Sequence, residues 1–221
     1  MWLMNGLQFH AGATLVADPN WHVAPTCDLN GDRRADIVWH SATLGNAAWR
    51  VNGTALTAGA MLAAGSDYEP VLAPDLDNDG KDDLVWYKPS TSETFGWLMD
   101  GLVPTAGGSL NNIWREVPIA MGNLDEDGKT DLYYRSPLNG WVNWVAYDGL
   151  RAVHRGLSLS PTQLSRGFAD FDGNGLVDDA YFEAAGSPPA TWLVYRLPPS
   201  LNYPSLKPPL LLLASPGWKL L

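Results

Sequence analysis

The sequence predicts an all-β protein assembled from repeated four-stranded units, and three observations carry that expectation. An acidic segment recurs four times: DLNGDRRADIVW from Asp28, DLDNDGKDDLVW from Asp75, NLDEDGKTDLYY from Asn123 and DFDGNGLVDDAY from Asp170, with starts 47, 48 and 47 residues apart. A tryptophan series, Trp2, Trp49, Trp97, Trp144 and Trp192, keeps the same clock. The 22 Gly and 17 Pro are too many for a helical protein and lack a collagen period, so turns are frequent.

Each strand of the unit has its own local reason. A first strand runs into the acidic segment, as from Glu69 to Leu76. The second leaves it with β-branched and aromatic residues, as in Ile37-Val38-Trp39, Leu84-Val85-Trp86-Tyr87 and Leu132-Tyr133-Tyr134. The third carries the phase-locked Trp and ends at Asn5-Gly6, Asn52-Gly53, Asp100-Gly101 or Asp148-Gly149, pairs that accept the positive φ of type I′ hairpin turns. The fourth returns, as from Leu56 to Ala64. Trp144 precedes its turn by one residue more than Trp2 does, which predicts either a bulge in that strand or a local misalignment of the repeat.

Four short strands at this period are what a β-propeller blade needs, and no stretch sustains a 3.6-residue apolar period. Residues 1–221 therefore read as one propeller domain, with repeats at about 2–48, 49–96, 97–143 and 144–191 and a partial unit over 192–221. That makes about four full blades with a partial or composite fifth. The incomplete terminal units either combine into a composite blade that closes the ring or belong to a piece of a longer propeller, and they offer edges for self-association.

Composition excludes several function classes. The net charge is −10, yet 46% of the residues are hydrophobic and 11 are Trp, so the acidity belongs to a folded chain. A pI near 4.6 argues against nucleic acid, which needs a basic stripe. The longest aliphatic run, Leu210 to Ala214, is too short to span a membrane. The first basic residue is Arg33, so no signal peptide is expected in this chain. A single cysteine, Cys27, excludes an intramolecular disulfide and aligns with Pro74, Gly122 and Ala169 as a small strand residue.

The acidic segments carry the chemistry. Oxygens at alternate positions of a tightly curled loop converge on one hard cation, with a glycine at the sixth position to close the turn. The second loop offers Asp75, Asp77, Asp79, the backbone carbonyl of Lys81, and Asp83. The first offers Asp28, Asn30, Asp32, Arg34 and Asp36, but Arg33 stands at the glycine position, at a cost of about 1 kcal/mol if its φ is positive. The third offers Asn123, Asp125, Asp127, Lys129 and Asp131; the fourth offers Asp170, Asp172, Asn174, Leu176 and Asp178. Oxygen donors without His or Cys favour Ca²⁺, up to four ions, with the weakest site in the first loop. Four bound Ca²⁺ would offset eight of the ten excess negative charges. Solvated acidic turns are the competing explanation, since Asp, Asn and Gly populate turns for backbone reasons.

The repeated acidic motif before an apolar-aromatic strand resembles the FG-GAP/VCBS repeats of integrin-α-like β-propellers. W-x-M-x-G, as in Trp2-Met4-Gly6 and Trp97-Met99-Gly101, is similar to bacterial members. The resemblance spans residues 2 to about 197. It implies a propeller with Ca²⁺ in its hairpin loops and a role in adhesion or ligand binding, secreted or at the cell surface. Asp179 departs from it, replacing the aliphatic residue of Ile37, Leu84 and Leu132.

Function is expected to be non-enzymatic. His10, His22, His40 and His154 are scattered and no G-x-S-x-G elbow is present. The partner is expected to be a glycan or protein ligand. Trp21, Trp114 and Trp218, which lie beside turns, are the candidate ligand-binding residues, giving a lectin-like module; the Trp2 to Trp192 series is expected to pack between blades. The alternative is an accessory or catalytic propeller domain of a secreted hydrolase.

Overall fold

Eighteen β-strands and no helix form among the described residues of a computed structural model, namely 1–15, 18–110, 115–124, 127–159, 163–171, 173, 175–183, 190–194 and 210–213. No helix among them is long and apolar enough to cross a membrane. The chain divides into two compact units, Met1–Asn112 and Ile113–Leu221.

The first unit opens with a hairpin of β1 (Trp2–Asn5) and β2 (Gln8–Gly12). Two four-stranded sheets follow: β3 (His22–Cys27), β4 (Asp36–Ser41), β5 (Gly45–Asn52) and β6 (Ala55–Leu62), then β7 (Glu69–Leu72), β8 (Leu84–Lys88), β9 (Glu93–Asp100) and β10 (Val103–Ser109). The second unit holds β11 (Val117–Gly122), β12 (Asp131–Arg135), β13 (Val142–Asp148) and β14 (Arg151–Leu159), then β15 (Gln163–Ala169), β16 (Asp178–Glu183), β17 (Ala190–Val194) and β18 (Leu210–Leu213). Each sheet is an antiparallel meander in chain order. The acidic loop joins strands one and two, and the Trp strand is third. The fourth sheet pairs regularly through Asp179, which stands opposite Val194.

β7 stops at Leu72 rather than at the expected Leu76: Pro74 has no N–H for the ladder, and the Leu76 N–H donates to Asp83. All four first strands carry a bulge at one phase: the register steps between Val23 and Thr26, Pro70 and Leu72, Pro118 and Ala120, and Ser165 and Gly167.

The hairpin turns correct the type I′ expectation. Asn5 pairs with Gln8, Asn52 with Ala55, Asp100 with Val103 and Asp148 with Arg151, so the Asn or Asp closes the ladder and the turn is Gly-X. Gly6, Gly53, Gly101 and Gly149 have φ of 59, 63, 64 and 59°, and their X neighbours are not left-handed. Positive φ at the first central residue alone is the type II′ pattern.

Opposite each of the first four series tryptophans stands a glycine: Gly12, Gly59, Gly107 and Gly156. The indole lies over it, so a Cβ on Gly107 would fall 2.8 Å from Trp97 Cδ1. Two faces then build the core. In the first sheet Ile37, Trp39, Ala47 and Val51 cluster on one face with Trp49, and Val38 and Ala48 point to the other. That second face packs with Leu84, Trp86 and Met99 of the next sheet. Trp39 and Trp86 meet Trp49 and Trp97 edge to face, with ring centres 5.2 and 4.9 Å apart.

The third sheet departs from this scheme. Ile37 and Leu84 pair with Trp49 and Trp97, whereas Leu132 pairs with Val145 and Tyr133 with Trp144. The extra residue before the turn lengthens both β13 and β14 by one pair. The extra residue is thus not a bulge in β13, and the step between Ala146 and Tyr147 skips Val153 of β14, as Thr57 is skipped in β6. An odd-numbered shift turns a side chain over, and Trp144 packs with Leu124, Tyr133 and Val142. Polar groups fill the other face: the Tyr134 and Tyr147 hydroxyls are 2.8 Å apart, and Asn143 donates to buried Glu116.

Candidate metal centre

The first residue of the first, second and fourth acidic loops gathers the loop's own N–H groups. Asp75 Oδ1 accepts from Asp79 N at 3.2 Å and Oδ2 from Gly80 N at 3.0 Å. Asp28 does the same for Asp32 and Arg33, and Asp170 for Gly173 and Gly175. This curl requires a left-handed sixth residue, and Arg33, Gly80, Gly128 and Gly175 have φ of 63, 82, 84 and 86°. The strain foreseen at Arg33 is therefore present. The fourth position is left-handed too, at Gly31, Asn78 and Gly173. Gly, Asn and Gly at that place carried the signal in the sequence.

The ninth-position Asp has a further role that sequence spacing did not reveal. Asp83 is 1% exposed; its Oδ2 accepts from Leu76 N and its Oδ1 from Met99 N, both at 2.9 Å. Asp36 takes Leu29 N and Val51 N, and Asp131 takes Leu124 N and Tyr147 N. Asp178 takes Phe171 N. One buried carboxylate thus ties the loop to the third strand in three sheets. The donors on that strand lie two residues after Trp49 and Trp97 but three after Trp144, which independently dates the register change in the third sheet.

Adjacent loops within a unit are stitched together. Asp82 N donates to Asp28 O at 2.8 Å, Asp28 N returns a bond to Asp82 Oδ2 at 2.7 Å, and Gly101 N donates to Leu29 O at 2.8 Å. Val177 N donates to Asn123 O at 3.1 Å at the same phase of the second unit.

Carboxylates converge in the second loop. One oxygen each of Asp75, Asp77 and Asp83 lies within 4.8 Å of the others, the one such group among the described residues. Burial pushes Asp83 up to about 7; hydrogen bonds from Met99 and Leu76 oppose this, and the charges of Asp77 and Asp75 add to it. Burial likewise raises Asp36 and Asp82. Three converging carboxylates, one desolvated, form a donor set of the kind that suits a hard divalent cation.

At the fifth and seventh positions of the first three loops the side chains form ion pairs. Asp79 does not join the group: its Oδ2 lies 2.9 Å from Lys81 Nζ, which also reaches Asp100 at 3.3 Å. In the third loop Lys129 bridges Asp127 and Asp148. Arg34 lies 3.7 Å from Asp32, whose carboxyl is held low by the Asn30 amide first and Arg34 second. In the first loop Asn30 Oδ1 is buried without a hydrogen-bond partner, an acceptor at the third loop position. Leu176 is buried. Asp125, Asp172 and Asn174 lie outside the described residues.

Of the candidate ligand-binding aromatics, Trp21 is half-buried, packed with Leu15 and Trp49 on the Ile37–Trp39 cluster. Trp114 and Trp218 lie outside the described residues. The position seven residues before each loop, held by Trp21 and Tyr68, is Glu116 in the third sheet. The exposed ring is instead Trp2, at 77%, with Phe9 at 61%; both line a groove of about 700 Å³ with Val23, Ile37 and Trp39. Cys27 is buried, and burial raises its thiol far above the usual range, which favours the protonated form.

Residues 28–86, which hold the first two acidic loops, match the FG-GAP-like repeat family. No curated protein and no solved structure matches the chain significantly.

Proposed function

We propose that this chain, whose residues 28–86 match the FG-GAP-like repeat family, is a calcium-loaded, propeller-type binding module acting outside the cytoplasm. The observation that carries the reading is the convergence of Asp75, Asp77 and Asp83 around a loop whose N–H groups are already satisfied. Those three carboxylates would hold Ca²⁺, with Asp79 joining on leaving Lys81. Its charge would offset the burial that lifts Asp83 and the smaller repulsion from Asp77 and Asp75 that adds to it. The unpartnered Asn30 oxygen supports a weaker second site in the first loop. The ion's part is structural: it would brace the loops that join strands one and two of each sheet.

Ligand recognition, of a glycan or a protein, falls to the loops and exposed aromatics, with Trp2 and Phe9 the most accessible large hydrophobic rings among the described residues. Thermal unfolding in Ca²⁺ and in chelator tests the first part of this reading. At about 100 times its dissociation constant, Ca²⁺ contributes roughly 2.7 kcal/mol per site. An unchanged melting temperature refutes it. A glycan array beside a protein pull-down then separates lectin from adhesion module.

A further inference from the structure

Two of the chain's four histidines face each other across one strand pair. His22 of β3 is the direct partner of His40 of β4, and the ring centres are 5.1 Å apart at an interplanar angle of 71°. Two imidazoles on one tetrahedral ion, with metal–nitrogen bonds of about 2.0–2.1 Å, have ring centres roughly 5 Å apart. The corresponding pairs are Glu69–Tyr87 and Val117–Arg135, so the fold does not require histidine there. A dedicated site in a repeat protein shows as such a break in periodicity.

Neighbouring hydrogen bonds fix the chemistry of the inner ring. Asn46, the partner of His40 on β5, donates through Nδ2 to Gly65 O at 2.8 Å and Tyr68 O at 3.2 Å. Its Oδ1 must therefore be the acceptor at His40 Nδ1, 2.7 Å away. His40 then carries its proton on Nδ1 and keeps a lone pair on Nε2. A carbonyl oxygen that orients a buried imidazole in this way is the usual support of a metal-ligating histidine. His22 is exposed and opens the pair to solvent, whereas His40 is 3% exposed.

We propose that His22 and His40 bind a divalent late transition-metal ion of the Zn²⁺ or Cu²⁺ class, with water completing the coordination. Imidazole nitrogen selects these ions over Ca²⁺. The pair lies about 13 Å along β4 from Asp36, at roughly 3.3 Å per residue, so the acidic loop is separate.

Cu²⁺ titration followed by electron paramagnetic resonance, in saturating Ca²⁺ to occupy oxygen sites, tests the assignment. Wild type is expected to bind one Cu²⁺ with nitrogen superhyperfine coupling. H22A should weaken that binding about tenfold or more, and H10A and H154A should leave it unchanged. His22 is exposed, so H22A tests the site even where H40A does not fold. Wild-type affinity in H22A, equal losses in H10A or H154A, or oxygen-only ligation would overturn the proposal.

Discussion

Replacing Asp83 with alanine separates the two roles assigned to the ninth loop position. The substitution removes both acceptors of buried N–H groups, Leu76 N and Met99 N, each bonded at 2.9 Å. A buried donor left unsatisfied costs about 1–3 kcal/mol, so the two together cost roughly 2–6 kcal/mol. Deleting a desolvated carboxylate returns part of that, which leaves a net loss of about 2–4 kcal/mol. This is a large share of the ~5–15 kcal/mol that holds a typical protein folded. Urea unfolding in chelator reads this term alone. Repeating it in Ca²⁺ adds whatever binding free energy the substitution abolishes. The control is D79A, which removes an exposed residue paired to Lys81 and should cost less than about 0.5 kcal/mol in chelator. If D83A in chelator unfolds within about 0.5 kcal/mol of wild type, or no differently from D79A, the clasp reasoning fails.

Three further outcomes are expected. R33G relieves a left-handed arginine at φ 63° and should stabilise the chain by up to about 1 kcal/mol while tightening the first loop's Ca²⁺ affinity, measured by denaturation and titration calorimetry. G107A places a Cβ 2.8 Å from an indole packed against Trp86 and should cost about 1–3 kcal/mol with an altered near-ultraviolet circular dichroism spectrum. G12A meets the exposed Trp2 and Phe9 rings and the Met1 carbonyl at 3.1–3.3 Å and should cost less than G107A, by about 1 kcal/mol. The third concerns pH. Asp83 has a folded pKa of about 7, above its usual 3.8, so the folded chain holds a proton that the unfolded chain has released between those values. Its contribution in chelator is full below about 4 and is lost as pH rises to about 7. Ca²⁺ affinity runs the other way, weakening as pH falls below 7. Denaturation and Ca²⁺ titration at several pH values check both trends, and an unchanged pH dependence in D83N would contradict them.

Much of the fold was legible because two sequence features share one spacing. Acidic segments fixed where strand one hands over to strand two, and the β-branched and aromatic runs after Asp36, Asp83 and Asp131 became β4, β8 and β12. What counting could not show was orientation. Trp144 keeps the 47-residue step from Trp97, yet one inserted residue turns it to the other face, because strand side chains alternate and sequence spacing does not record parity. The hairpin type was misread for a related reason. Asn-Gly satisfies either turn register, and only the pairing of Asn52 with Ala55 decides it.

The candidate site was legible in residue identity and less so in role. Asp75, Asp77 and Asp83 meet as spacing implied, but Asp79 is held by Lys81, whose side chain had been given no part. The clasp from Asp83 to Met99 and the stitch from Asp82 to Asp28 join residues 16 and 54 positions apart, which no local motif encodes. Tryptophan position was a poor guide to exposure. Trp21 beside a turn is half-buried, while Trp2, in the series expected to pack, is 77% exposed on a two-stranded hairpin.

Calorimetric titration of the chelator-stripped chain with Ca²⁺, beside the D75N/D77N double variant, tests the central claim most directly. Both residues converge with Asp83, and the double variant keeps that clasp intact. The account predicts saturable binding to wild type, with the tightest site absent from the variant. Absence of saturable heat, or an identical isotherm for the variant, would contradict it.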